Sequence, residues 1–260
     1  MNLEGPRRVS ITRFAVLGTV GLTLSSAASA FGQTPATPPP PPPRLEASGQ
    51  FSFLNTSGNA SSRSLGAGAD LAWRPDPWTH TAKVTFAQTE SDEELTARSI
   101  AAAYRASRVL RKRLEAWGQY DFLRDVFAGV EQRHVVESGL SYLVVDAAPQ
   151  TLRFDVGLGY LHEKQPTTSI DSATVLLGAA YRVDISPTSF FTYAPRFLLP
   201  LSDSDSWKFD QDTALTLTIN QTLAVKLSHT LRYSHHPAAG FKTTDTVLGV
   251  SLVAKVQRPR

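Results

Sequence analysis

The sequence predicts an all-β protein, a transmembrane antiparallel up-and-down β-barrel of about 12 strands. Three observations carry that expectation. Apolar and polar residues alternate from Leu45 to Val256, short turn signals cut the alternation into runs, and an export-type segment precedes it. The clearest run is Leu223, Val225, Leu227, His229, Leu231 and Tyr233, interleaved with Ala224, Lys226, Ser228, Thr230, Arg232 and Ser234. A period of two means strand, because successive side chains of a strand point to opposite faces.

The export-type segment comes first in the chain. Arg7, Arg8 and Arg13 precede an apolar stretch from Phe14 to Leu24, followed by small residues ending Ala28-Ser29-Ala30. That order is expected of a cleavable signal peptide over residues 1–30. The apolar stretch falls short of the roughly twenty residues that a membrane-spanning helix needs. Residues 31–43 read as a Pro-rich periplasmic linker, because the six prolines Pro38–Pro43 favour a stiff polyproline II spacer without backbone donors. Residues 44–260 are expected to form one barrel.

Its strands are expected near 45–56, 62–74, 78–89, 94–106, 112–123, 127–145, 151–163, 172–184, 188–201, 207–220, 223–235 and 244–256. Turn residues separate them, such as Ser57-Gly58-Asn59, Arg74-Pro75-Asp76-Pro77, Ser91-Asp92-Glu93 and Ser186-Pro187. Connections this short require antiparallel neighbours. With 42% hydrophobic residues, the chain has ordinary hydropathy, as expected where half of each strand faces a polar lumen. No later stretch reaches the roughly eighteen apolar residues of a helical span.

Charge narrows the function classes. Removing Arg7, Arg8, Arg13 and Glu4 with the signal leaves 23 basic against 22 acidic residues. That balance gives nucleic-acid binding no footing. The chain holds no cysteine, so an exported fold must be secured without disulfides. A closed ring of backbone hydrogen bonds serves instead.

The two faces separate by residue type. Rows such as Phe191, Tyr193, Pro195, Phe197 and Leu199, or Leu152, Phe154, Val156, Leu158 and Tyr160, are expected to face lipid. So are Leu215, Leu217 and Ile219, and the row Leu248, Val250, Leu252, Ala254 and Val256. Trp73, Trp78, Tyr142, Tyr160, Trp207 and Tyr233 lie near strand ends, where aromatic girdles form. The opposite face carries Lys83, Arg98, Arg133, Arg153, Arg182, Arg196, Lys226 and Arg232, with Asp70, Glu115, Asp121, Glu131, Asp155, Asp184 and Asp212. Eight cations against seven anions predict a lumen laced by ion pairs with weak ion selectivity.

Enzymatic constellations are weak. His134 and Ser138 are four residues apart on a predicted strand, about 13 Å, whereas a nucleophile and its base need about 3 Å. His235, His236, His162 and Glu163 lack zinc-like spacing, because adjacent strand residues point apart. No catalytic residue, metal or cofactor is expected. Gly66, Gly68, Gly157, Gly159 and Gly178 inside strands are expected to permit bending and close packing on the lumen side.

Several motifs carry a family resemblance. Thr56-Ser57-Gly58-Asn59 with Ser64–Leu71 is similar to a first hairpin, and Asp125–Arg133 with Ser138–Tyr142 to a central signature. Leu152–Glu163 and Asp245–Leu252 match later strands. Together these resemble the salt-induced outer-membrane protein family, YdiY-like, with a domain of unknown function 481. The resemblance implies location in the cell outer membrane and barrel architecture, and no established activity.

The resulting expectation is a monomeric, non-enzymatic outer-membrane barrel with a narrow polar lumen, acting as a small passive channel or in envelope integrity. Its expected partners are outer-membrane lipids and lipopolysaccharide, the barrel insertion machinery, and small polar solutes or ions. The alternatives are an outer-membrane enzyme acting on lipid or lipopolysaccharide, and a soluble periplasmic ligand-binding barrel.

Overall fold

In a computed structural model, residues 43–56, 62–92 and 94–258 are described. The expected signal peptide and almost all of the Pro-rich linker lie outside them. The strands are β1 (Leu45–Thr56), β2 (Ser62–Trp73), β3 (Trp78–Ser91), β4 (Glu94–Arg111), β5 (Leu114–Asp125) and β6 (Val130–Ala147). They continue as β7 (Gln150–Lys164), β8 (Ser169–Ser186), β9 (Ser189–Pro200), β10 (Lys208–Thr218), β11 (Leu223–Ser234) and β12 (Thr244–Arg258). Each pairs antiparallel with its sequence neighbours, and β12 returns to β1 to close a 12-strand barrel. The closed antiparallel barrel expected from the alternation is the observed fold.

Several strand bounds shift from the expected ones by up to five residues, and two of the shifts have a local physical reason. β4 extends to Arg111, past the expected end at residue 106, because Trp78 of β3 and Leu114 of β5 still offer it partners there. β6 begins at Val130, not at 127, because Val126–Ala128 form one 3-10 turn. Asp125 caps that turn by accepting a hydrogen bond from the Ala128 amide at 3.2 Å. Gly129 ends it at φ 75°, a left-handed conformation that suits glycine.

Register fixes which residues point inward. Ser48, Asp70, Lys83, Ala103, Asp121 and Val135 lie on one continuous inner row through β1–β6, joined pair by pair. The alternate positions form the outer wall, and there the large apolar side chains are exposed: Phe51, Val84, Val136, Phe154, Leu158, Leu177 and Leu248 among them, Leu248 at 81%. On β7 the outer row Leu152 to Tyr160 covers about 27 Å of strand. At a tilt of about 40° it rises about 21 Å, near the height of a membrane apolar band.

Aromatic residues border that band. At the end where β1 starts and β12 finishes, the termini end of the barrel, His80 stacks on Trp73 at 5.2 Å, and a 2.8 Å hydrogen bond joins its Nδ1 to the Tyr104 hydroxyl. At the opposite, loop end, Trp207 packs on Phe197 at 5.3 Å and Tyr233 at 4.8 Å. Tyr120 and His134 share a 2.8 Å hydrogen bond on the same level.

The closing seam is shorter than the other joints. β1 pairs with β12 over seven positions, from Leu45↔Arg258 to Phe51↔Leu252, against twelve between β1 and β2.

Candidate functional site: the lumen and its two ends

The inner wall is not uniform. On β5–β9, Trp117, Val135, Leu161, Leu176 and Leu198 form a buried apolar cluster that faces the lumen. Trp117 fits because two facing positions lack side chains: a Cβ added at Gly139 or Gly157 would lie 2.8 or 2.7 Å from its ring. The Arg105 guanidinium lies over the same ring, 4.4 Å from its centroid.

Ion clusters flank this core. On the loop-end side, Glu163 accepts from the Arg133 Nε, from Lys208 Nζ at 3.1 Å and from Gln165 Nε2 at 2.7 Å. Glu163 and Lys208 are almost completely buried, which is tolerable because each charge meets its opposite. On the other side, Arg196 donates to Asp121 at 2.7 Å and to Glu137. Asp155 accepts from Arg105 at 3.1 and 3.3 Å and from the Ser141 hydroxyl at 2.6 Å, while Arg153 Nε lies 3.2 Å away as an ion pair.

Toward the termini end, a cavity of about 430 Å³ is lined by Arg113, Glu115, Asp146, Arg153 and Arg182. Arg182 pairs with Asp184 at 2.7 Å and stacks on Phe190 at 3.7 Å. Its charges are of both signs and solvated, so it forms a polar vestibule.

The β11–β3 part of the wall contrasts with this. Its inner residues are small or uncharged at many positions, including Ser48, Ser52, Gly66, Gly68, Thr85, Ser228, Gly249 and Ser251. No residue of β1–β3 is buried among the described residues. Ion pairs cross the open space. Lys83 of β3 meets Asp212 of β10 at 3.1 Å, both about half exposed, and Thr230 also donates to that carboxylate at 2.7 Å. Arg232 of β11 reaches Asp125 on the opposite strand β5 at 3.3 Å.

A strap lies above that second contact. The β11–β12 connection places Ala238 and the Phe241 ring against Gly129, where an added Cβ would meet them at 3.0 and 2.8 Å. Strands β11–β12 and β5–β6 stand opposite each other in the ring, so the connection crosses the loop-end mouth.

Most sequence-predicted lumen residues point inward: Lys83, Glu115, Asp121, Arg133, Arg153, Asp155, Arg182, Arg196, Lys226 and Arg232. Two do not fit the expectation. Arg98 lies on the outer row and donates to Gln88 at 3.1 and 3.2 Å, because the inner row of β4 runs through Ser99, Ala101, Ala103 and Arg105. Glu131 stands at the loop-end rim, paired with Lys164 at 2.8 Å, because β6 begins beside it at Val130. Sequence reading missed Arg105, Trp117, Asp125, Glu137, Glu163 and Lys208. Extending the alternating rows one step from Ala103, Val135 and Asp210 would have reached Arg105, Glu137 and Lys208, and two steps either way from Asp121 would have reached Trp117 and Asp125.

An apolar, aromatic-edged exterior around a charged interior inverts the order of a water-soluble protein, and it defines a membrane-type β-barrel. The chain belongs to the family described as Protein of unknown function, DUF481, whose model matches residues 49–256. The Uncharacterized protein YdiY of Escherichia coli (strain K12) is 23% identical over 188 residues, covering 71% of this chain and 72% of that protein. Among solved structures, the NanC porin superposes with a TM-score of 0.45 at 9% identity, covering 83% of this chain and 100% of that one. The translocator domain of the autotransporter NalP from Neisseria meningitidis gives 0.40 at 11% identity, covering 81% and 86%.

Proposed function

We propose that this protein is an outer-membrane conduit for ions and small polar solutes, passive and weakly selective, with its water path along the β11–β3 wall. One observation carries the reading: that wall presents small or hydroxyl side chains inward at many positions, with Ala224 and Val253 its only buried inner residues among the described ones, whereas β5–β9 pack a buried apolar cluster across the middle of their share of the lumen. The termini end would face the periplasm and the loop end the exterior, since several turns at the termini end are very short, as at Ser186–Ser189. Near-balanced lumen charge supports weak selectivity, because single-sign rings are what sort ions. A non-enzymatic role is consistent with His134, which lies on the outer wall bonded to Tyr120 and four residues from Ser138 on the same row.

Planar-bilayer recording of the refolded full chain tests this. Wild type gives small discrete steps with a reversal potential near zero in a salt gradient. Lys83→Ala removes the contact to Asp212 and raises the step size, while Thr85→Trp lowers it. Absence of steps in both wild type and Lys83→Ala overturns the conduit.

A further inference from the structure

We propose that the loop-end half of the β1–β12 seam is a lateral portal that admits the anionic headgroup of a membrane amphiphile, leaving its chain in the bilayer. The proposal rests on the barrel's membrane placement and not on conduction. The ladder stops at Phe51↔Leu252. Beyond it, Ser52–Thr56 of β1 pair with β2 alone, and Thr244–Ser251 of β12 pair with β11 alone, although both segments remain extended strand. About 14 Å of β1 edge is therefore left without its neighbour. Backbone amides and carbonyls facing hydrocarbon without partners are costly, so an occupant with hydrogen-bonding groups is favoured there.

The lining says what occupant fits. Outside, Phe51, Phe53, Leu248 and Val250 flank the gap at 56, 58, 81 and 64% exposure, an apolar bed for an acyl chain. Behind it the inner positions next to the end of the ladder are small and polar: Ser52, Gly249 and Ser251, with Ser228 opposite Gly249, while Val247 and Asp245 follow on the same row toward the loop end. At the base stands Lys226, the cross-strand partner of Ser251. Its ammonium bonds the Gln50 side chain at 3.3 Å and, among the described residues, lies in no ion pair. A lysine at the foot of a polar notch matches a phosphate or carboxylate. The strap over the mouth leaves this side opening as the route between the bare half of the lumen and lipid.

The test uses the full chain in phosphatidylcholine vesicles, with a fluorophore on Ser251→Cys and brominated lipid as quencher. Brominated phosphatidylglycerol should quench more strongly than brominated phosphatidylcholine, and Lys226→Ala should weaken that preference about tenfold, as loss of one charged hydrogen bond implies. Lys226→Arg should retain it. Inorganic phosphate should not compete; full competition would mean a soluble-anion site and overturn the portal. A second measurement is independent of lipid binding: amide hydrogen exchange at 52–56 and 244–251 should be faster than at 45–51. Equal protection of both segments, or equal quenching by the two lipids, overturns the proposal. Neither readout involves current, so failure of the conduit would be seen separately.

Discussion

The β5–β9 and β11–β3 portions of the wall are made of the same antiparallel strands, yet they hold different interiors. The first uses glycine at Gly139 and Gly157 to seat a tryptophan, then seals the space with Arg133–Glu163–Lys208 and Asp121–Arg196–Glu137. The second places glycines and hydroxyls inward at many positions, among them Ser48, Ser52, Gly66, Gly68, Ser228 and Gly249. Backbone pairing is thus enough to close a barrel, and the inward side chains decide whether a sector packs as a core.

Mutations should divide along that line. The largest effect is expected at Glu163→Ala, which strands Arg133 and Lys208 without their shared carboxylate. The cost should be about 3–5 kcal/mol, read as a lowered urea midpoint of the folded barrel on unheated gels. Arg133→Ala should also destabilise, by less, since Lys208 still pairs with Glu163. Truncating Ser48 in the bare sector should change little, and equal losses in the two sectors would break the comparison. Gly157→Ala comes next. Its methyl would lie 2.7 Å from the Trp117 ring and 2.8 Å from the Ser138 carbonyl, so about 1–3 kcal/mol of overpacking is expected. Gly249→Ala, which meets only the Ser228 hydroxyl at 3.0 Å, should be milder by the same assay.

The smallest effect concerns the loop between β9 and β10. The Ser206 hydroxyl, followed by the Asp205 amide, holds the Asp203 carboxyl below the ordinary aspartate range. A depressed folded pKa contributes stability that is present above the unfolded value, about 3.9, and lost as pH falls through the folded value. Asp203→Asn should therefore lower the midpoint slightly at neutral pH, and the difference should vanish in acid. A constant difference across that range would show the carboxylate charge to be irrelevant.

Much of the fold could be read directly, since alternation dictates which face each residue takes once a strand is recognised. Lys83, Asp121, Arg196 and Arg232 are placed by that rule alone. The rule fails where a strand bulges or ends. Arg98 lies next to the β3–β4 irregularity at Thr89/Glu90, where counting from the wrong side flips the face. Glu131 follows a 3-10 turn that the apolar pattern does not announce. What alternation cannot supply is who meets whom across the lumen: Lys83 with Asp212, or Asp125 with Arg232, are set by ring geometry and strand tilt. Nor does it show that Trp117 would turn a lumen into a core, because an inward tryptophan looks like any lumen residue until its glycine neighbours are known to lie beside it.

The short seam also bears on how the ring comes into being. Every other joint links neighbours in sequence and can form as a hairpin, whereas Leu45 and Arg258 must meet from about 200 residues apart, with the corresponding loop entropy to overcome. With seven ladder pairs rewarding that search, β1 and β12 should zip last, from the termini end upward, onto a sheet that is already curled. The same joint should be the first to part under denaturant.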